Sequence, residues 1–186
     1  MSRRTLRLSV IALAFPLVLT ACGGGGGNAG RTVSPTDYVG AVCSHVKSWI
    51  GDIRQGFQQL QQAAQPGTAP EKGKELLSSF FDRTVSDTDS MISSIGEAGV
   101  PDVPNGRSLA SSFLSALERA KAALETARKG VDSLPTSSGA AFQQAADSLG
   151  KQVQSNMGQV GTAIGSLHST ELEQAAKKTP ACSGIA

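Results

Sequence analysis

Residues 34–60 read SPTDYVGAVCSHVKSWIGDIRQGFQQL and have the pattern of one long amphipathic helix. Ser34 is a residue type that caps helices, Pro35 suits the first helical position, and Asp37 suits the positive end of the helix dipole. Apolar residues then recur at alternating steps of four and three, on one helix face: Tyr38, Val42, Val46, Trp49, Ile53, Phe57 and Leu60. Such a face needs partners, so the stretch predicts an all-α protein in which other helices cover it.

The prolines divide the rest of the chain into helical segments. Beyond residue 21 they leave four long proline-free stretches, and proline is tolerated only at helix starts and flanks. These prolines are Pro35, Pro66, Pro70, Pro101, Pro104, Pro135 and Pro180. We predict a second helix opened by a capping box at Thr68-Ala69-Pro70-Glu71, a third over about 105–131, and a fourth over about 138–167.

The apolar phase of the fourth segment breaks after Leu167. If one helix continued, Glu171 would point inward and Leu172 outward. We therefore predict a break over residues 168–170, followed by a short fifth helix that Thr170 and Glu173 open as a capping box.

The expected architecture is an up-down-up-down four-helix bundle with a short C-terminal fifth helix. Long helices joined by short turns become antiparallel neighbours. The third helix should turn a charged face to solvent, because charges of alternating sign recur at helical spacing. This face consists of Glu118, Lys121, Glu125, Arg128 and Asp132.

The first 21 residues have the features of a bacterial signal peptide. Arg3, Arg4 and Arg7 form a positive region. Residues 8–20 are apolar but too short to span a bilayer of about 30 Å as a helix.

The end of this segment, Leu19-Thr20-Ala21-Cys22, resembles the lipobox of bacterial lipoproteins. The resemblance implies that Cys22 receives a diacylglyceryl group on its sulfur and that residues 1–21 are removed. Two acyl chains, such as palmitate, hold a protein stably on a bilayer. The predicted location is therefore the outer face of the cytoplasmic membrane, with a lipid anchor. A secreted protein with a chance cysteine is the alternative, and the export route stays open between the general secretory and twin-arginine pathways.

A run of glycines follows Cys22 and predicts a flexible tether. The expected domains are a signal peptide over 1–21, the lipidated cysteine with its glycine-rich tether over 22–34, and a helical bundle over 35–186.

Removal of the signal peptide also removes the basic character of the chain. Its arginines are its only charged residues, so the formal net charge falls from +2 by three, to −1. The mature chain then has no polybasic surface, and we expect no nucleic-acid partner.

Assigning Cys22 to the lipid leaves two thiols, Cys43 and Cys182, in an oxidising compartment. We predict that they form a disulfide, which would stabilise the fold by about 5 kcal/mol in the chain-entropy view. An up-down-up-down bundle fits this pairing, because the start of its first helix and the end of its fourth lie at the same end. Without nearby histidines, the two cysteines do not suggest a metal site.

No convincing catalytic or cofactor motif is found. His45 and His168 should lie at different levels of the bundle, too far apart to share a metal ion. Asp87-Thr88-Asp89-Ser90 begins like a calcium loop, but Ile92 and Ala98 stand where glycine and glutamate are needed. We therefore predict a protein that is not an enzyme and that has neither metal nor cofactor.

One side of the predicted fourth helix is rich in glycine. Glycine costs about 1 kcal/mol relative to alanine inside a helix, so the feature calls for an explanation. This glycine strip consists of Gly150, Gln154, Gly158, Gly161 and Gly165. It reflects either the composition of a glycine-rich protein or a low-relief surface that a neighbouring helix, a partner or a glycan chain approaches closely.

The lipobox, the glycine tether and the cysteine positions resemble the small envelope lipoproteins of high-GC Gram-positive bacteria. Those proteins carry a helical ectodomain with one disulfide and are mostly of unknown function, so the resemblance implies no active site. The leading hypothesis is a non-enzymatic lipoprotein that binds an envelope protein or polymer. The alternative is a carrier that holds a lipid or small apolar ligand between its helices.

Overall fold

A computed structural model describes residues 30–64 and 67–184, which fold as a bundle of helices. The helices are α1 (Pro35–Ala63), α2 (Pro70–Glu97), α3 (Gly106–Asp132), α4 (Gly139–Gly165) and α5 (Thr170–Lys178), followed by a 3-10 turn over Pro180–Cys182. Two strands of two residues each, β1 (Thr32–Val33) and β2 (Val100–Pro101), complete the described secondary structure. The all-α prediction is confirmed. Within the described ranges, no helix is long and apolar enough to cross a membrane.

Consecutive long helices run antiparallel. Between α1 and α2, Trp49 donates a hydrogen bond to Thr88, and Arg83 donates one to Gln59. Residues later in α1 thus contact residues earlier in α2, so the two helices are antiparallel. The same reversal relates α2 to α3, where the ion pairs are Asp89–Lys121 and Asp82–Arg128. It also relates α3 to α4, where Gly130 lies near Leu149 and Ala120 lies near Val160. The up-down-up-down prediction is confirmed.

Serine side chains cap three of the helices. Ser34 and Ser138 accept hydrogen bonds from the backbone N–H groups three residues later, which confirms the predicted starts of α1 and α4. The cap of α5 is Ser169, one residue before the predicted Thr170. Because the chain breaks before α5, Leu172 can pack against the apolar cluster that includes Tyr38 and Val39 of α1.

The structure places the N-cap of α2 at Ala69, one residue after the predicted Thr68. Ala69 itself makes no side-chain cap hydrogen bond. A residue before proline is pushed into an extended conformation, so a helix that begins at Pro70 leaves its cap position to Ala69.

The strands hold the chain just before α1. They pair in parallel, and the N–H groups of Val100 and Asp102 donate to the carbonyls of Arg31 and Val33, both at 2.8 Å. The last residues of the segment predicted as a tether are therefore fixed to the connection between α2 and α3.

The charged face of α3 contributes to packing between helices. Arg128 pairs with Asp132 along α3, as predicted, at 2.8 Å. Arg128 also pairs with Asp82 at 2.7 Å, and Lys121 pairs with Asp89, so both cations link α3 to α2. The sequence pattern predicted ion pairs along one helix and missed these links.

The apolar faces of all four long helices contribute to the core, as predicted. Four clusters of buried residues run along the bundle and include Phe81, Ile95, Leu117, Leu124 and Val131. Phe57 is an exception, because its side chain is 49% exposed and meets Phe80 edge-on. It was predicted to face inward, but α4 packs mainly against α3 and leaves the second half of α1 uncovered.

The described residues make a unit with a core and a cross-link of its own. The five helices, the four apolar clusters, the strand pair and both cysteines of the disulfide all lie within residues 30–184. A domain of this size with its own core is expected to fold alone. Residues 23–186 are therefore suitable for experiments in solution.

Candidate functional site

An apolar cleft of about 320 Å³ opens where α1, α3, α4 and α5 meet. Its walls include Val42 of α1, Phe113 of α3, Ile164 of α4 and Leu172 of α5. Small-molecule sites usually have volumes of roughly 300–1,000 Å³, and an apolar cavity of about 150 Å³ holds benzene. The cleft is therefore large enough for an aromatic ring or a short alkyl chain.

The chain forms this cleft by ending α4 early. After Gly165 it turns through residues 166–169, and α5 then packs against the first turns of α1. Because α5 has nine residues, it covers one side of the space between α1 and the end of α4 without filling it. The sequence signal was the loss of apolar phase after Leu167, which predicted the break but not the space beside it.

The predicted disulfide between Cys43 and Cys182 is confirmed, and it borders the cleft. The two residues lie 139 positions apart in sequence, and their Cα atoms are 4.9 Å apart. Cys43 lines the cleft, while Cys182 ends the turn after α5. The disulfide therefore links the 3-10 turn after α5 to α1 beside the cleft.

Tyr38 supplies a polar group to this apolar wall. The residue is 6% exposed, and its hydroxyl makes no hydrogen bond to any residue in the described ranges. Burial raises the pKa of this hydroxyl above its ordinary value, so it stays protonated at neutral pH. Tyr38 lines the cleft, and a tyrosine hydroxyl can act as hydrogen-bond donor or acceptor.

Charge at the cleft is acidic. Of the described residues that line it, Glu173 is the charged one, and its side chain is 58% exposed. Its carboxylate oxygen Oε1 lies 3.5 Å from Nδ1 of His168, which is still more exposed. No lysine or arginine of the described residues lines the cleft.

The N-terminus of α5 borders the cleft and is already supplied with acceptors. The Ser169 hydroxyl oxygen accepts from the Leu172 N–H at 3.4 Å, and the hydroxyl donates to the Glu171 carboxylate at 2.9 Å. Hydrogen bonds from its own backbone N–H and from Ser169 lower the pKa of Glu171. A carboxylate of the chain itself thus occupies the helix end that would otherwise attract an anion.

The glycine strip of α4 lies on the outer surface. All five of its residues, Gly150, Gln154, Gly158, Gly161 and Gly165, are exposed. A Cβ atom added at any of the four glycines would meet nothing within 4 Å. No neighbouring helix among the described residues therefore requires these glycines, and an outside partner remains a prediction.

The glycines that α4 does require lie on its neighbours and were missed. A Cβ atom at Gly73 of α2 would lie 2.8 Å from Cζ of Phe142, and one at Gly130 of α3 would lie 2.8 Å from Cδ1 of Leu149. Both distances are shorter than van der Waals contact. Each glycine gives a large side chain of α4 the space to pack, and a single sequence carries no signal of such a contact.

The remaining candidates do not form a site. In the described parts of the chain, no group of three or more His, Cys, Asp and Glu residues could hold a metal ion. Residues 87–90, which resemble the start of a calcium loop, lie inside α2. There Thr88 is fully buried, and its hydroxyl donates to the Thr84 carbonyl and accepts from the Trp49 indole N–H. Cys22, the predicted lipidation site, lies outside the described residues.

Comparison with known proteins gives no relative. No protein-family model matches the chain, and neither a curated protein nor a solved structure does.

Proposed function

We propose that this protein is a lipid-anchored, non-enzymatic binding protein of the bacterial cell envelope, and that its cleft binds an apolar molecule or chain. The observation that carries the proposal is the cleft of about 320 Å³, with its apolar walls and few polar groups. Ligand sites have this composition. The lipobox-like sequence at Cys22 supports the location, and the disulfide is consistent with an oxidising compartment.

The position of the cleft also supports the proposal. Tyr38 lies four residues after Ser34, so the cleft is at the end of the bundle where the chain enters from β1. A tether of about eight glycine-rich residues has a reach on the order of 15–20 Å. An anchor on Cys22 would then hold the cleft near the membrane, which is a source of apolar ligands.

The expected affinity is modest. Each buried methylene group contributes about 0.8 kcal/mol, so six of them contribute about 5 kcal/mol before the costs of immobilising the ligand. This gain corresponds to a dissociation constant of roughly 0.2 mM before those costs, so we expect constants in the millimolar range. A ligand of this kind would exchange readily with a membrane.

Residues 23–186 and the neutral fluorescent probe N-phenyl-1-naphthylamine test the proposal directly. The probe should bind with saturable fluorescence enhancement. Ala176→Phe places a ring in the cleft and should abolish binding, whereas Ala122→Phe on the exposed face of α3 should leave it unchanged. Circular dichroism and thiol alkylation check that both variants fold and keep the disulfide. Equal binding by the two variants would refute the cleft as the site.

A second candidate is binding of an envelope protein or glycan at the glycine strip. The strip is exposed, and its glycines present backbone without side chains over about four helical turns, from Gly150 to Gly165. A photo-crosslinker at Gln154 in living cells should then capture one reproducible partner. A crosslinker at Gln59 of α1 is the control, and the same capture at both positions would count against the strip.

A further inference from the structure

We propose that the cleft discriminates by charge: it accepts amphiphiles whose polar end is cationic or uncharged and disfavours those that end in a carboxylate or phosphate. This inference rests on the proposed function and names the chemical class of its ligand. It follows from two features, the charge that lines the cleft and the blocked N-terminus of α5; a third feature, the Tyr38 hydroxyl, can bond to a ligand of any of these classes.

The first feature is the charge that lines the cleft. Glu173 provides a carboxylate, and the described lining residues provide no lysine or arginine to offset it. His168 contacts Glu173 at 3.5 Å from outside the lining. Lys47, four residues after the cleft residue Cys43, donates to the Ser183 carbonyl at 3.4 Å. Lys177 and Lys178 line an adjoining groove that shares Ala176 with the cleft, and Arg107 lines another groove between α2 and α3.

The second feature is the blocked N-terminus of α5. Free N–H groups at a helix start favour anions, and this start borders the cleft. Here Ser169 accepts from the Leu172 N–H, and the Glu171 carboxylate accepts from its own N–H and from Ser169. An incoming carboxylate would have to displace Glu171, so it gains no net donor and adds a third negative charge beside Glu171 and Glu173.

The third feature is the Tyr38 hydroxyl, which has no hydrogen-bond partner among the described residues. It can accept from an alcohol or ammonium group and can donate to an alcohol. One hydroxyl can also donate to a carboxylate, so Tyr38 alone does not choose between the classes. The two carboxylates of α5 decide the preference.

The size of the effect follows from the exposure of Glu173. Two unit charges about 4 Å apart interact by about 1 kcal/mol in water, and more where solvent is partly excluded. Because Glu173 is more than half exposed, a cationic ligand should bind roughly twofold to fivefold more tightly than a neutral one of equal length, and an anionic ligand should bind weaker by a similar factor. Salt should reduce both differences, because the charges are partly solvated.

Three alkyl probes of equal length provide the test: octylammonium, octanol and octanoate, each competing with N-phenyl-1-naphthylamine on residues 23–186 at low ionic strength. We expect octylammonium to displace the dye best and octanoate worst. Glu173→Gln should bring octylammonium and octanoate closer together and leave octanol unchanged. Glu125→Gln on the exposed face of α3 is the matched control and should keep the full difference.

Each outcome decides the inference. Equal displacement by the three probes, or stronger displacement by octanoate, would overturn the charge preference and leave the cleft as a binding site. A full preference that persists in Glu173→Gln would overturn the assignment to the cleft carboxylate. If the dye does not bind at all, the proposed function fails together with the inference.

Discussion

The two ends of the bundle are built from the same four long helices but are packed in different ways. At the start of α4, the glycines at positions 73 and 130 let Phe142 and Leu149 come within contact of α2 and α3. At the end of α4, Ile164 faces Phe113, and the space beside them remains open as the cleft. At the first end, glycines allow the helices to pack closely. At the second end, side chains line an open space between the helices.

The difference extends to how each end is held. The closed end depends on a continuous apolar cluster around Leu124 and Val131. The open end has a small cluster around Tyr38 and Ala175, together with the strand pair and the disulfide. An open cleft lowers the number of apolar contacts at this end, and the disulfide stabilises the end where those contacts are missing.

Removing the disulfide should have the largest effect. The double variant Cys43→Ser, Cys182→Ser should lose about 5 kcal/mol of unfolding free energy in a denaturant titration, because its unfolded chain is no longer constrained by a link across 139 positions. Native-state hydrogen exchange should speed up first in α5, which the bond fastens to α1. Faster exchange spread evenly over α2 and α3 would show that the disulfide stabilises both ends of the bundle equally.

Leucine truncation measures the packing of each end. Leu124→Ala at the closed end should cost about 2–5 kcal/mol, since this side chain is buried in a dense cluster. Leu172→Ala at the cleft should cost only about 1–2 kcal/mol, because its side chain already borders open space and leaves a smaller new cavity. Urea titrations compare the two, and equal costs would mean that the cleft end is as tightly packed as the other.

Replacing glycine by alanine should change the stability of the folded protein in opposite directions at two positions. Gly158→Ala on the exposed strip should stabilise the protein by about 0.5–1 kcal/mol, as helix propensity predicts, because the new Cβ meets nothing. Gly73→Ala should destabilise it by up to about 2 kcal/mol, since its Cβ would collide with the Phe142 ring. Melting temperatures of the two variants provide the measurement. Stabilisation by both would show that Phe142 moves aside at little cost.

The smallest expected effect is a pH dependence at the cleft. Burial raises the pKa of Tyr38 in the folded protein, so the unfolded chain loses this proton first as the pH rises. The contribution of Tyr38 is therefore fully present below the ordinary pKa of about 10 and is lost as the pH rises from there toward the folded pKa. Tyr38→Phe should remove this part of the alkaline decline in stability. An identical decline in both proteins would show that the hydroxyl ionises as easily in the fold as in the unfolded chain.

The helices were predictable because their signals are local. Proline positions, serine caps and the apolar period of α3 depend on neighbours within a few residues, and the structure has them where the sequence indicates. The disulfide followed from assigning Cys22 to a lipid, and the topology then agreed with it.

What the sequence did not predict depends on contacts between distant segments. Phe57 continues the apolar period of α1, but whether another helix covers it depends on where α4 lies. In the sequence, Gly73 and the glycines of the exposed strip look alike, because each is a glycine within a helix. Only at Gly73 would an added Cβ atom meet another helix. The cleft is likewise a consequence of how far α5 reaches, which periodicity does not measure.

The strand pair gives the protein a mechanical property. Tension that reaches Arg31 from an anchored N-terminus would meet the hydrogen bonds from Val100 and Asp102 before it reached the first turn of α1. At the other side of this connection, Gly106 begins α3 so close to the Pro101 carbonyl oxygen that an added Cβ would lie 2.0 Å from it. A pull on an N-terminal anchor would therefore be shared between α1 and the α2–α3 connection, and less of it would reach the capped start of α1 and the cleft beside it.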